Sequence, residues 1–211
     1  MARALDSLEP FCVDCDVRWI KNQRKGSLGF SLYLDHVLNQ SMNVINSQNI
    51  NTLFTTPPLL QTLAERMNDE QRARIKGIHT GGLSLSNSSE PLLKTLFPNS
   101  VLLPGYGNSL LGVTFPFADD QLNVFQAGDE KRLFFQIGPL PEKYGDRQDL
   151  QNHVTNGKRG RIICHRLDQT FLLVNLVERD TAVATEVNGV RGLAAIKPLT
   201  MSVSDNQQGV Y

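Results

Sequence analysis

Two glycine-rich segments within residues 77–112 carry the residue types that most directly indicate a binding site. The first is the pair Gly81 and Gly82, and the second is residues 105–109, a predicted turn that includes Tyr106. Each segment follows a short apolar run that predicts a β-strand. A glycine has no Cβ, so its backbone amide can lie close to a ligand and can adopt positive φ. With an aromatic wall from Tyr106, the two segments predict a small-molecule pocket.

The elements around these segments alternate between predicted strands and helices. Residues 51–56 predict a strand, and Pro57 and Pro58 stop it and favour the first turn of a helix. The apolar runs before the two glycine segments predict two more strands, with a helix from Pro91 between them. A further helix is predicted from Ser31 by apolar residues at spacings of three and four. This strand–helix–strand–helix–strand unit predicts a parallel sheet, in which both glycine segments would lie at the ligand-binding carboxyl ends of the strands.

After Gly112 the pattern predicts a β-rich portion. A turn at Gly128 and Asp129 would join two of its strands as a hairpin, although this residue order is a weak hairpin signal. The predicted strands cover residues 122–125, 132–137, 160–164 and 171–177.

The sequence therefore predicts an α/β fold, in which a parallel-sheet α/β portion with flanking helices is followed by a β-rich, mostly antiparallel portion. We expect a poorly defined N-terminal segment at 1–30, the α/β portion at 31–115, the β-rich portion of the same large domain at 116–197, and a polar tail at 198–211.

The overall composition argues against several classes of partner. The chain of 211 residues has a formal net charge of +0, so it lacks the basic excess that typically binds nucleic acid. It has no run of about 20 apolar residues, so no membrane span is predicted. Its three cysteines form an odd set, which favours a reducing compartment, and the predicted location is cytoplasmic. Cys12 and Cys15 form a C-x-x-C pair, which we interpret as incidental rather than metal-binding or redox-active, because a zinc site needs four ligands.

Common catalytic templates fit the second glycine segment poorly. Leu110 occupies the place of the third glycine in a dinucleotide-binding G-x-G-x-x-G fingerprint. Ser109 misses the G-x-S-x-G nucleophile elbow by one residue, although a serine-hydrolase triad with His153 or His165 stays formally open. Neither a G-x-x-x-x-G-K-[ST] phosphate loop nor an H-E-x-x-H motif occurs. We therefore predict no catalytic residue and no metal ligand.

The order of several short motifs resembles one known family. The motifs T-P-P, I-x-x-G-G-x-x-L-S, F-P-N and Y-G-N-S follow one another along the chain. They are similar to the middle of the adenylate-forming enzymes, the AMP-dependent acyl-CoA synthetases, and the nearer match is the phenylacetate-CoA ligase-like branch. The later stretch GRIICHRLDQTFLLVNLVERDTA is similar to the family segment that ends in a ribose-binding aspartate. The resemblance runs from roughly Ser31 to Ala182.

The resemblance implies that the glycines and the tyrosine surround the nucleotide. Gly81 and Gly82 would line the floor of the adenine and acyl pocket with backbone groups. Tyr106 would stack on the face of the adenine. The alternatives are a strand-ending turn that only needs glycine and a tyrosine buried in the core.

The resemblance also implies polar contacts to the nucleotide. In the tyrosine motif, Gly107 would let the nucleotide approach, and Asn108 and Ser109 would hydrogen-bond the adenylate. Asp180 would accept both ribose hydroxyls, which a carboxylate can do with its two oxygens. The alternative for Asp180 is an ordinary ion pair with Arg179.

The chemistry implied by the resemblance is carboxylate activation. A small-molecule carboxylate would attack the α-phosphate of ATP and release pyrophosphate, and the acyl group of the adenylate would then pass to a thiol of coenzyme A or a carrier protein.

Three departures from the family pattern predict weak catalysis. Leu110 stands where the family has a magnesium-binding glutamate, and a leucine side chain offers no oxygen ligand. The family's phosphate loop and its lysine-bearing C-terminal domain have no counterpart in the sequence. We therefore expect a partial ligase-like protein that binds ATP, AMP or an acyl-adenylate, is catalytically impaired as this chain alone, and self-associates through an unpaired sheet edge. The alternative is a non-catalytic binding or interaction module on the same scaffold.

Overall fold

The first half of the protein forms a parallel sheet with helices. The computed structural model describes residues 10–82, 84–85, 89–118, 121–127, 131–142, 146–169 and 171–199. The parallel sheet has the order β1-β2-β3 and contains β1 (Thr52–Thr55), β2 (Gly77–Thr80) and β3 (Val101–Pro104). The helices of this half are α1 (Val17–Asn22), α2 (Leu28–Ser47), α3 (Pro57–Arg66), α4 (Asp69–Arg74) and α5 (Ser89–Leu96). The predicted parallel unit is confirmed.

Capping residues and prolines explain where the helices begin. α3 starts at Pro57, as predicted, since proline at the first helical position costs no hydrogen bond. α2 starts at Leu28, ahead of the predicted Ser31, because the side chain of Ser27 accepts a hydrogen bond from the Phe30 amide at 3.2 Å. Among the described helices, none combines the length and apolar character that crossing a membrane requires.

Among the described residues, one face of the parallel sheet is packed in the core. Ile78 and Leu102 lie on neighbouring strands and are buried against apolar side chains of α2, α3 and α5. The alternate residues point to the opposite face, where Phe54 is 61% exposed and Val101 is 59% exposed. The helices therefore cover one side of the sheet, and part of the other side presents apolar side chains to solvent.

The second half forms one antiparallel sheet of seven strands within the described residues. Their order across the sheet is β4-β5-β6-β10-β9-β8-β7. The strands are β4 (Tyr106–Asn108), β5 (Gly112–Pro116), β6 (Val124–Gln126), β7 (Leu133–Gly138), β8 (Arg159–Leu167), β9 (Leu172–Val187) and β10 (Val190–Pro198). The predicted fold class, a parallel α/β portion followed by a mostly antiparallel β-rich portion, is confirmed.

The predicted hairpin between residues 122–125 and 132–137 is wrong. β6 pairs with β5 and β10, whereas β7 pairs with β8 at the opposite edge of the sheet. Gly128 and Asp129 lie outside the described residues. Local alternation identified both strands correctly, but their partners come from distant parts of the chain, which local patterns do not record.

The predicted turn at residues 105–109 is also corrected. Residues Tyr106–Asn108 form β4, which pairs with β5 in an antiparallel hairpin. Thr114 is fully buried on β5, and its hydroxyl donates to the Tyr106 carbonyl at 2.7 Å. Gly107 allows the two strands to approach closely, and Gly112 adopts φ +89°, so the glycine content reflects pairing as well as a turn.

Candidate functional site

The two glycine segments lie side by side at the carboxyl edge of the parallel sheet. Gly81 follows β2 and Gly105 follows β3, and the Gly105 amide donates to the Thr80 carbonyl at 2.7 Å. A Cβ built on Gly81 would meet no atom closer than 3.9 Å. Gly82 has φ +75°, a left-handed conformation that glycine adopts without strain. This edge therefore combines room for a Cβ at Gly81 with a backbone turn at Gly82.

His79 also belongs to this edge, and motif reasoning missed it. Its imidazole lies under Gly105, where a Cβ would come within 2.6 Å of His79 Cε1. It also contacts the Phe54 ring, with ring centroids 5.2 Å apart. Burial lowers the pKa of His79, and a hydrogen bond with the Leu103 backbone offsets part of this effect. The lowered pKa favours the neutral imidazole. The sequence does contain a signal for His79. It lies in a predicted strand two residues before Gly81, so strand alternation places both residues on the same face.

Two threonine hydroxyls at the ends of neighbouring strands add polar groups to this region. Thr55 and Thr80 are paired across β1 and β2, and the Oγ1 atoms of both are buried without a hydrogen-bond partner among the described residues. Thr80 is 1% exposed, so its hydroxyl lies behind the edge rather than on it. Buried hydroxyls of this kind are uncommon.

Tyr106 and Asp180 meet although 74 positions separate them in the chain. The Tyr106 hydroxyl donates to Asp180 Oδ2 at 3.2 Å. Because β4 and β9 are separated by three strands in the sheet order, this contact requires the sheet to curl until β4 faces β9. The Tyr106 ring also contacts the Phe125 ring, with centroids 6.2 Å apart. Burial, and then the carboxylates of Asp180 and Glu178, raise the pKa of Tyr106, so its hydroxyl keeps its proton and remains a donor.

Asn108 lies two residues after Tyr106 on β4, on the same face of the strand, and contacts Glu178. The sequence motifs did not identify Glu178. Asn108 Nδ2 donates to Glu178 Oε1 at 2.9 Å. Asn108 Oδ1 accepts from the amides of Leu110 and Leu111 at 2.9 and 3.0 Å. The Asn108 amide thus closes the turn between β4 and β5 and ties this turn to β9. Ser109 is exposed on the same turn.

A bulge in β9 directs both carboxylates towards β4. Arg161 pairs with Thr181 and Ile163 pairs with Val177, so the single residue 162 of β8 lies opposite residues 178–180 of β9. The Arg161 Nε donates to the Glu178 carbonyl at 2.8 Å, which satisfies a backbone oxygen at the bulge. Bulges often re-aim side chains near functional sites.

The backbone carbonyl of Leu110 is bound by an arginine from β8. Arg166 Nη1 donates to the Leu110 carbonyl at 2.7 Å. The same guanidinium pairs with Asp168 at 2.6 Å, and both side chains are largely buried. The Leu110 side chain itself is 44% exposed. A paired guanidinium therefore lies at this turn, and the Leu110 carbonyl oxygen already has a donor.

Asp180 should make the fold less stable at neutral pH than at low pH. Burial raises the pKa of its carboxyl, partly offset by the Tyr106 hydroxyl and by Arg179. A raised pKa in the folded state means that stability is greatest below the unfolded-state pKa and falls as pH rises through the folded-state pKa. Asp180→Asn should remove this dependence and raise the free energy of unfolding at pH 7 by less than about 1 kcal/mol, since solvent screens a partly exposed group. Urea unfolding at pH 4 and pH 7 measures this, and an asparagine variant less stable at pH 7 contradicts it.

Comparison with known proteins finds a likeness of fold. No family model and no curated protein sequence matches the chain. The solved structure of VinN is similar with a TM-score of 0.50 and 12% identity, over 79% of this chain and 47% of that one. A luciferase-like enzyme from the mealworm Zophobas morio gives a TM-score of 0.49 and 17% identity, over 77% of this chain and 41% of that one. A long-chain-fatty-acid-CoA ligase from Archaeoglobus fulgidus gives a TM-score of 0.49 and 12% identity, over 76% of this chain and 36% of that one.

The chain spans less than half the length of each of these solved structures. The likeness to VinN shows that a similar fold occurs within a longer chain. At 12% sequence identity, this likeness concerns the fold alone.

Proposed function

We propose that this chain is the nucleotide-binding part of an adenylate-forming ligase of the acyl-CoA synthetase type and binds ATP, AMP or an acyl-adenylate. The observation that carries the proposal is the hydrogen bond between Tyr106 and Asp180. The family motifs assign the adenine to the first residue and the ribose to the second, so the two must lie close together for one nucleoside to contact both.

The geometry around Tyr106 and Asp180 suits a nucleoside. The hydroxyl bond to Asp180 limits rotation of the Tyr106 ring, and a ring held in this way would stack on the adenine. Asp180 accepts from Tyr106 with one oxygen, and a carboxylate has further acceptor positions for two ribose hydroxyls. Gly107 is exposed, and its backbone lies between the two residues that contact Asp180 and Glu178.

The remaining predicted contacts are assigned to the turn and the sheet edge. Asn108 Oδ1 is fully engaged by two backbone amides, so Asn108 retains only an Nδ2 hydrogen for the adenylate. Ser109 offers an exposed hydroxyl. Gly81 and Gly82 would line the acyl side of the pocket, where the carboxylate substrate would lie.

Magnesium does not fit the residues present. Leu110 has no oxygen in its side chain, and its carbonyl accepts from Arg166. Within the described parts of the chain, no group of three or more His, Cys, Asp or Glu side chains is arranged to hold a metal ion. We therefore assign binding rather than catalysis to this chain, and transfer to a coenzyme A or carrier-protein thiol would need groups that these residues do not supply. A cytoplasmic location remains part of the proposal.

Isothermal titration with an acyl sulfamoyl adenosine, a hydrolysis-resistant acyl-adenylate analogue, tests the proposal. We expect saturable binding that weakens when Asp180 is replaced. Absence of binding, or equal binding by the native protein and the Asp180 variants, would remove the nucleotide-binding assignment.

The alternative is a non-catalytic binding or interaction module on the same scaffold, and the observation that favours it is the leucine at position 110. Pyrophosphate exchange that depends on both ATP and a carboxylate contradicts the module. A folded protein that neither binds the analogue nor supports exchange agrees with an interaction module and contradicts the nucleotide-binding assignment.

Self-association should occur through the exposed face of the parallel sheet. Phe54 on β1 and Val101 on β3 place exposed apolar side chains on the outer strands of that sheet, where they can pack against another chain. The double variant with Phe54→Ser and Val101→Ser should lower the sedimentation coefficient at high concentration. Leu92→Ser, on the exposed surface of α5, is the matched control and should not change it. A native protein that sediments as a monomer at all concentrations contradicts this prediction.

A further inference from the structure

Glu178 lies at the bulge of β9, two residues before Asp180, and no motif assigns it a role. Its backbone carbonyl is held by Arg161 Nε at 2.8 Å, and its side chain accepts from Asn108 at 2.9 Å. Backbone and side chain of this residue are therefore both anchored. A carboxylate placed this way makes a charge-assisted hydrogen bond, which is stronger than a bond between neutral groups.

The contact with Glu178 determines how the Asn108 amide is oriented. Nδ2 must point towards the carboxylate, because a carboxylate only accepts. Oδ1 then points towards the amides of Leu110 and Leu111 and closes the turn. Without Glu178, the amide would keep its bonds to the turn and lose its connection to β9.

Two side-chain contacts join β4 to the bulge, one from each end of this short strand. Tyr106 bonds Asp180 at 3.2 Å and Asn108 bonds Glu178 at 2.9 Å. A single hydrogen bond permits rotation of β4 about that contact, whereas two contacts at successive alternate positions fix both its distance and its direction. On the other side, Arg166 binds the Leu110 carbonyl and holds the end of the turn.

We propose that Glu178 is a positioning residue for nucleotide binding, acting through Asn108 to hold the turn at residues 109–111 and the Tyr106 ring in the binding arrangement. This inference rests on the proposed function. Glutamine at position 178 keeps an oxygen acceptor at the same place, whereas methionine fills the same volume without one. If Glu178 positions Asn108, the Gln and Met variants should differ in affinity for the nucleotide. If Glu178 only fills space, the two variants should bind equally.

The test combines a spectrum without ligand and a titration. In Glu178→Met the side-chain amide signal of Asn108 in a ¹H–¹⁵N spectrum should shift, and the dissociation constant for acyl sulfamoyl adenosine should rise about tenfold. In Glu178→Gln the affinity should stay within about threefold of the native value. Glu186→Met, an exposed carboxylate on the same strand, is the control and should change neither measurement.

The outcomes are separable from those of the proposed function. If the native protein does not bind the analogue, the proposed function fails, and with it the claim that Glu178 serves nucleotide binding. If the native protein binds, an unshifted Asn108 amide in Glu178→Met overturns the inference. Equal affinities of the Gln and Met variants also overturn it. If the Met variant does not fold, the Gln variant and Asn108→Ala are compared, and native affinity in Asn108→Ala overturns the inference.

Discussion

Replacing Gly107 by alanine should lower the free energy of unfolding by about 3 kcal/mol, the upper end of the usual cost of overpacking. A Cβ at this position would lie 1.8 Å from the Gly112 carbonyl oxygen, 2.8 Å from the Gly112 carbonyl carbon and 3.0 Å from Val113 Cα. All three are backbone atoms, so no side-chain rotation can relieve the clash. The hairpin of β4 and β5 would have to separate, which would also move Tyr106 away from Asp180.

Gly81→Ala is the matched control for Gly107→Ala. Its Cβ would meet only atoms at 3.9 Å, which is ordinary contact, and we expect its stability to remain within about 0.5 kcal/mol of the native value. Urea unfolding of the two variants measures the difference. Equal stabilities would show that the two strands do not approach as closely as the structure places them.

Removing the Asp180 carboxylate should weaken binding of the acyl-adenylate analogue by about 10- to 100-fold. Hydrogen bonds to a charged group contribute about 1.5–3 kcal/mol each, and the ribose would lose such bonds in Asp180→Ala. Tyr106→Leu should weaken binding by about tenfold, because it removes the ring that stacks on adenine and keeps apolar volume against Phe125.

Two conservative variants distinguish binding from damage to the fold. Tyr106→Phe retains the stacking ring but loses the contact with Asp180, so it should lose less affinity than Tyr106→Leu. Glu186→Gln removes an exposed carboxylate elsewhere on β9 and should bind normally. Affinity loss in Glu186→Gln equal to that in Asp180→Ala would attribute the effect to net charge, and the ribose contact would then be rejected.

The parallel half of the fold was predictable because its signals are local. Pro57 ends β1 and begins α3, and the apolar periodicity of α2 gives its buried face. The order of strands then follows from the rule that parallel strands joined by helices lie next to one another.

The antiparallel half was less predictable because its pairing is non-local. The last strand, β10, was missed although Asn188 and Gly189 lie between β9 and β10 with positive φ, the strongest short hairpin signal. The sequence predicts a turn at Tyr106–Asn108, where the structure has β4, because a glycine looks the same in a sequence whether it lies in a strand or in a turn.

The residues of the candidate site also fall into two groups, those that the sequence indicated and those that depend on non-local strand pairing. The family motifs pointed to Tyr106 and Asp180, and the structure brings these two together. Glu178 and Arg161 depend on a bulge that exists only once β8 and β9 are paired, so no local pattern could identify them. His79 could have been found from strand alternation alone, since it shares a face with Gly81.

Intermolecular nuclear Overhauser effects between the acyl sulfamoyl adenosine and the labelled protein test the central claim most directly. We predict contacts from the adenine protons to the Tyr106 ring and from the ribose protons to residues beside Asp180 on β9. Contacts confined to another surface, such as the face that carries Phe54 and Val101, would contradict the assignment of a nucleotide to this site.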